Sequence, residues 1–253
     1  MLVWRIASLA FAASLVGLWQ VLADHGVISR VFFPAPSRAF AVLRDWASSG
    51  ELWQPLAGTV WRMLLGWGGA TIVGVAIGAA IASSALTCRL FEPTIEFLRP
   101  LPSSAVIPPA ILLLGLTDVM VVAVVIFGSI WPILLGAIHG FRAVEPRLKE
   151  LSRALGMRRL HFIRSIALPN ALPEIFAGMR VSLAIALIIT VVAEMLSSRP
   201  GLGQMILFAA RGFRSAEIFA GVFLLGALGY FSNAILQRAE THFLRWRPDA
   251  SLA

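Results

Sequence analysis

Arg62, Arg180 and Glu194 are charged residues set within otherwise apolar stretches of the chain. The chemistry open to them is ionic. An isolated charge in such surroundings is costly, and pairing with an opposite charge is the usual resolution. Covalent chemistry has little to work with. One cysteine, Cys88, permits neither an intrachain disulfide nor a thiolate metal cluster. One lysine, Lys149, is followed by Glu150, so no Gly-Lys-Ser/Thr phosphate loop exists. The four histidines (His25, His139, His161, His242) are scattered, and no carboxylate pair or metal-ligand spacing appears. The chain is therefore expected to be no enzyme, with no catalytic residue, no metal and no cofactor of its own. ATP, if used, must be bound elsewhere.

A second cluster offers charge in bulk. Arg142–Arg164 carries seven cations against Glu145 and Glu150, so +5 of the net +8 is concentrated there. Its pattern is helical. Leu148, Leu151 and Leu155 fall on one face while arginines take the other. Gly156 ends or bends that helix, and a second helical stretch, Leu160–Leu168, stops at Pro169. A short amphipathic hairpin of this kind suits docking to a cytosolic partner.

The elements that hold these residues follow from composition. Hydrophobic residues make up 58% and charged residues 13%, about half the charged share of a soluble domain. Mean hydropathy is +0.84 and the pI about 11.4. Five windows lack any charge: Ile6–Ala23, Met63–Cys88, Pro100–Thr117, Val119–Phe141 and Ile218–Gln237. Ile175–Leu196 is a sixth apolar stretch, interrupted by Arg180 and Glu194. At 1.5 Å per residue an 18-residue helix covers about 27 Å, close to the hydrocarbon thickness. The expected fold is all-α and polytopic, with about six transmembrane helices. Residues 1–23 read as a retained first helix, because the apolar run exceeds that of a signal peptide. Ser37 is placed to cap a short interfacial helix, Arg38–Ala47, with Phe40, Leu43 and Trp46 on one face.

With six spans and both termini cytoplasmic, thirteen basic residues lie inside, six outside and two (Arg62, Arg180) within spans. The positive-inside rule selects that orientation. It also disposes of a nucleic-acid binder, because the arginines are segregated by membrane side. Three segments result: 1–56, the first helix and interfacial segment; 57–247, the core, with the basic loop at 142–169; and 248–253, a cytoplasmic tail.

The spacing inside the basic loop is specific. Glu150-Leu151-Ser152, three residues, Gly156, nine residues, then Ile166-Ala-Leu168-Pro169 resembles the EAA loop of bacterial binding-protein-dependent ABC importer permeases. Leu151 and Ser152 stand where that pattern has two alanines. Phe97-Leu-Arg-Pro-Leu-Pro102, Leu172-Pro-Glu-Ile-Phe-Ala-Gly178, Val192-Ala-Glu194-Met and Gly201-Leu-Gly203 are similar to the sulfonate, nitrate and taurine (bicarbonate) subfamily. The resemblance implies the type I ABC importer transmembrane fold in a bacterial inner membrane. It implies a coupling helix in which Glu150, Leu151, Ala154, Leu155, Gly156, Ile166, Leu168 and Pro169 engage the ATPase. It implies two cytosolic ATPase subunits that hold ATP and magnesium, a second permease copy, and an extracytoplasmic binding protein delivering a small anionic solute.

The pathway is expected from the intramembrane features. Gly66, Ala70, Gly74, Gly78 and Ala82 form a small-residue stripe that admits a neighbouring backbone. Pro100, Pro102, Pro108 and Pro109 break the third span, and breaks at membrane depth are tolerated mainly beside a cavity. That places Ser103 and Ser104 near the pathway. Arg62 and Glu194 are expected to pair at the outer end as a gate, and Arg180 to meet Glu92, Glu96 or the anionic solute near the inner end. An ATP-independent secondary transporter or a membrane scaffold subunit is the alternative. Inverted repeats with midplane charges would mark the former, and none is visible.

Overall fold

The computed structural model describes residues 2–29 and 31–246. Arg30, Arg247 and the expected tail 248–253 lie outside the described residues. In chain order the helices are α1 (Leu2–Asp24), α2 (Pro36–Ser49), α3 (Trp53–Ala82), α4 (Ala85–Leu98), α5 (Ser103–Leu114) and α6 (Asp118–Arg142). Then come α7 (Pro146–Ala154), α8 (Arg159–Phe162), a π turn (Ile163–Ala167), α9 (Leu168–Ser197), α10 (Leu202–Arg211) and α11 (Ser215–Phe243). No strand occurs among the described residues.

Helix ends follow local sequence. Thr117 caps α6 by accepting from the Met120 N–H at 3.2 Å. Ser84 caps α4 by accepting from the Leu86 N–H at 3.2 Å, which ends the expected Met63–Cys88 span at Ala82. Gly156, at φ +65, closes α7. Its N–H donates to the Arg153 carbonyl and that of Met157 to the Ser152 carbonyl, both at 3.0 Å, the paired bonds of a Schellman motif.

Among the described residues, four helical segments are long and apolar enough to cross a membrane: α3, α6, α11 and the continuous Arg159–Ser197 segment that ends in α9. The α4–α5 pair makes a fifth if counted as one broken span, bent by 90°. Six are expected, the remaining one being α1, a 23-residue helix of which Ala10–Asp24 is an apolar stretch. The bend sits at Arg99–Pro102: Arg99 is still helical, Pro100 and Pro102 have no N–H to continue the ladder, and Pro102 is extended at φ -66, ψ 118 before α5 begins. Pro108 and Pro109, by contrast, lie inside α5 without breaking it.

The core is a three-helix pack with α6 between α3 and α9. Met63 of α3, Val121, Val124 and Val125 of α6, and Leu183, Ala186 and Ile189 of α9 interlock there. The small-residue stripe of α3 meets α6 as the sequence pattern demands. A Cβ on Gly78 would lie 3.1 Å from the Leu134 carbonyl oxygen and 3.3 Å from the Ile138 nitrogen. On the other side of α6, a Cβ on Gly178 would collide with the Pro132 carbonyl. Such closeness allows polar side chains to bond across helices. Ser182 Oγ donates to the Ser129 carbonyl at 2.6 Å, and Trp67 Nε1 to the Met179 carbonyl at 3.1 Å.

Three local expectations are corrected. Ser37 does not cap α2, because Pro36 opens that helix and Ala35 is its N-cap. Its N–H instead donates to Gln20 Oε1 at 3.1 Å, tying α2 to α1. Trp46 does not face outward; it is buried with Leu52, Leu202 and Ala220, because α10 and α11 fold over that face. Pro169 does not stop the second hairpin helix. It occupies the first turn of α9, where proline's missing N–H is tolerated. The π turn before it, with the Leu168 N–H donating to the Ile163 carbonyl, carries the helix through.

Candidate functional site

Three locations gather the candidate residues. The first joins α3, α6, α9 and the Ser198–Gly201 turn. Arg62 stands ten residues into α3, and Glu194 one turn before the end of α9. Arg62 Nη1 donates to Glu194 Oε1 at 2.8 Å and to the Pro200 carbonyl at 2.9 Å. Its Nε donates to Asp118 Oδ1 at 2.7 Å. Glu194 is completely buried and Arg62 6% exposed, so neither charge has water to fall back on. Glu194 also accepts from the Gly203 N–H at 3.0 Å, and Thr59 Oγ1 lies 3.0 Å from both its oxygens. Thr59 in turn accepts from the Leu202 N–H at 2.9 Å. Arg199 completes the cluster, donating to Asp118 at 2.9 and 3.0 Å. A Cβ on Gly201 would strike the Glu194 carboxyl, so the turn must carry glycine there.

Sequence reading paired Arg62 with Glu194 but did not join Thr59, Asp118 or Arg199 to them. One clue was available: Asp118 is the charge that separates two charge-free windows, Pro100–Thr117 and Val119–Phe141.

The second location is a cavity of about 350 Å³ between α5 and α9. Ser103 and Ser104 line it beside Ile107, Ile185, Ile188, Ile189 and Val192. Pro108 and Pro109 have no N–H to offer the carbonyls of Ser104 and Ala105. Arg180 is not part of it. Its guanidinium pairs with Glu240 of α11, not with Glu92 or Glu96, because α9 packs on α11 at that level.

The third location is the α7 loop. Glu150, Leu151, Ala154 and Leu155 are exposed, with Leu151 at 54% and Leu155 at 67%. The second half of the motif is more enclosed: Ile166, Leu168 and Pro169 are half-buried, and Leu168 packs against Ala137, Ala171 and Ile175. The motif thus divides into an outward-facing helix and a root inserted into the bundle. Among the described residues no group of three metal-ligating side chains converges.

A bundle of apolar helices around a buried ionic cluster, with a broken span lining a cavity and an exposed amphipathic loop, defines a polytopic membrane transport subunit. The chain belongs to the family described as binding-protein-dependent transport system inner membrane component, whose model matches residues 56–246. It is a multi-pass inner-membrane permease subunit of the ABC importer kind. It is 31% identical to SsuC of Bacillus subtilis (strain 168), a permease named for aliphatic sulfonate transport, over 94% of this chain and 87% of that one. It is 25% identical to the taurine transport permease TauC of Escherichia coli (strain K12), over 96% and 90%. In fold it is similar to the inward-facing MetNI methionine ABC transporter, with a TM-score of 0.63 at 18% identity, covering 74% of this chain and 92% of that one.

Proposed function

We propose that this permease forms, with a second copy of itself, the path for a small oxyanion: a sulfonate, taurine, nitrate or bicarbonate. The relatives named for these solutes support the class. An extracytoplasmic binding protein delivers the solute, and two cytosolic ATPase subunits, which hold ATP and magnesium, supply the energy. Both termini face the cytoplasm, so that α7 meets the ATPase.

The observation that carries this reading is the exposed leucine row of α7. Leu148, Leu151 and Leu155 are 38%, 54% and 67% exposed on a helix that is otherwise strongly polar. Closure of the ATPase pair on ATP would push this helix. The rooted residues Leu168 and Pro169 would pass the displacement to α9, which lines the Ser103–Ser104 cavity. At the far end, the Arg62–Glu194–Asp118–Arg199 cluster holds α3, α6 and α9 together as an outer latch. In the segment 198–214, Arg199 pairs with Asp118 and Arg214 with Glu217, so two of its three arginines are already matched by carboxylates.

Co-purification tests the reading. An ATPase subunit encoded with the permease should stay bound through detergent extraction, and Leu155→Glu should release it while leaving the permease in the membrane. Retention of the ATPase by that variant would overturn the docking assignment.

A further inference from the structure

The elbow between α3 and α4 and the basic loop enclose a cleft of about 950 Å³. Arg142, Lys149, Arg153 and Arg159 line it, and no carboxylate does. Among the described residues none of the four pairs with an acid. Arg142 gives one N–H to Cys88 Sγ at 2.8 Å, which holds it at the cleft without neutralising it. Like charges gathered this way repel, and an anion among them removes that cost.

The rest of the wall is apolar. Ala79 and Ala82 come from the last turn of α3, and Phe141, Phe162 and Ile163 face them. Ala82 is the final residue of α3, a helix long and apolar enough to cross a membrane, so the cleft lies at the end of a spanning segment. A free oxyanion would fill a small part of the volume and make no use of the apolar wall. An amphiphile with an anionic head uses both. Basic pockets between helices on the cytoplasmic side suit phospholipid headgroups.

We propose that this cleft binds the phosphodiester headgroup and first acyl carbons of an anionic phospholipid from the cytoplasmic leaflet. Lys149, Ser152 and Arg153 face the cleft, whereas Leu148, Leu151 and Leu155 occupy another side of α7, set by their positions around the helix. The ATPase and the lipid therefore address different faces of one helix, and the lipid fixes the position from which α7 transmits. The proposal rests on the cytoplasmic placement of α7.

The test uses the full-length permease purified with its ATPase and reconstituted in phosphatidylcholine nanodiscs with or without phosphatidylglycerol. Native mass spectrometry counts retained lipid. Wild type should retain phosphatidylglycerol selectively, and Lys149→Gln/Arg153→Gln should retain about thirtyfold less, in keeping with the attraction of two cations near a membrane surface. Lys149→Arg/Arg153→Lys should restore retention, separating charge from folding. Leu151→Glu/Leu155→Glu should lose the ATPase and keep the lipid, so failure of docking and failure of lipid binding read differently. Equal retention by wild type and the glutamine variant overturns the proposal. Displacement of the lipid by millimolar inorganic phosphate or sulfate, without headgroup preference, also overturns it and leaves a free-oxyanion site.

Discussion

Arg62 and Glu194, 132 residues apart, meet at 2.8 Å in a site where one is 6% exposed and the other fully buried. The pair is not symmetric. Arg62 keeps two further acceptors, Asp118 Oδ1 and the Pro200 carbonyl, whereas Glu194 has one cationic partner and otherwise neutral donors. Removing one partner of a buried pair costs about 3–5 kcal/mol, because the survivor is left uncompensated. Arg62→Met strands Glu194, while Glu194→Gln leaves Arg62 bound to Asp118. The methionine variant should therefore lose more thermal stability in detergent than the glutamine variant. The reverse order would mean that Asp118 does not share the charge.

The same asymmetry governs charge exchange. From sequence, reversal at both positions should restore transport lost in either single reversal. The structure changes that expectation. Arg62→Glu places a carboxylate beside Asp118 and the Pro200 carbonyl, and Glu194→Arg points donors at the Gly203 N–H. The double reversal should reach the membrane in smaller amount than wild type and transport no better than the single variants. Solute uptake in vesicles, normalised to membrane content, decides the point.

Glycine 201 offers a way to disturb the latch without removing a charge. Its added Cβ meets the Glu194 carboxyl, and one on Gly203 meets the Val191 carbonyl. Because the carboxylate is held by Thr59, Arg62 and Gly203 together, it cannot swing aside freely. Gly201→Ala should lower the melting temperature and impair transport, whereas Gly68→Ala, in open space on α3, should do neither. Equal behaviour of the two would show that the turn yields.

The placement of these residues shows what sequence alone reveals. Charge-free windows mark α3, α6 and α11, and an apolar stretch interrupted by Arg180 and Glu194 marks α9, because the absence of water must be met along the whole length of a span. The α7 motif is legible because its partner face is left exposed and its turn needs Gly156 at positive φ. Asp118, Arg199 and Thr59 are not legible as a group. Asp118 opens α6 and Arg199 lies in the turn after α9, where polar residues are ordinary, Thr59 is one small polar residue in the second turn of α3, and only the packing of α6 between α3 and α9 brings them together. Trp46 misleads for the same reason: an amphipathic pattern tells that a face is covered, not whether lipid or α10 covers it.

Orientation is open to a direct check, since Cys88 is the one native cysteine. In a Cys88→Ala background, Ser48→Cys in the last turn of α2 and Ser165→Cys in the π turn are both exposed positions. With the termini cytoplasmic, a membrane-impermeant maleimide should label Ser48→Cys in intact cells and Ser165→Cys only after permeabilisation. Labels in the opposite order would invert the topology and remove α7 from the ATPase.

The π turn supplies the sharpest test of coupling. Ile163–Ala167 inserts one extra residue into the helix that links α8 to α9, and the Leu168 N–H reaches back to Ile163. Deleting Ser165 would convert the wider turn to an ordinary α-turn. One residue is about 100° of helix, so the loop carrying α7 would rotate by that amount about the α9 axis. The Pro169 ring would then face a backbone carbonyl one regular turn earlier, which the π turn now avoids. Membrane insertion depends on the apolar length of α9 and should persist. Transport and solute-stimulated ATPase activity should both fall to background, because Leu151 and Leu155 no longer point where the ATPase waits. Pro169→Ala in the deletion background relieves the ring clash but not the rotation, so it should recover melting temperature without recovering transport. Recovery of both would mean that the turn serves only to accommodate the proline.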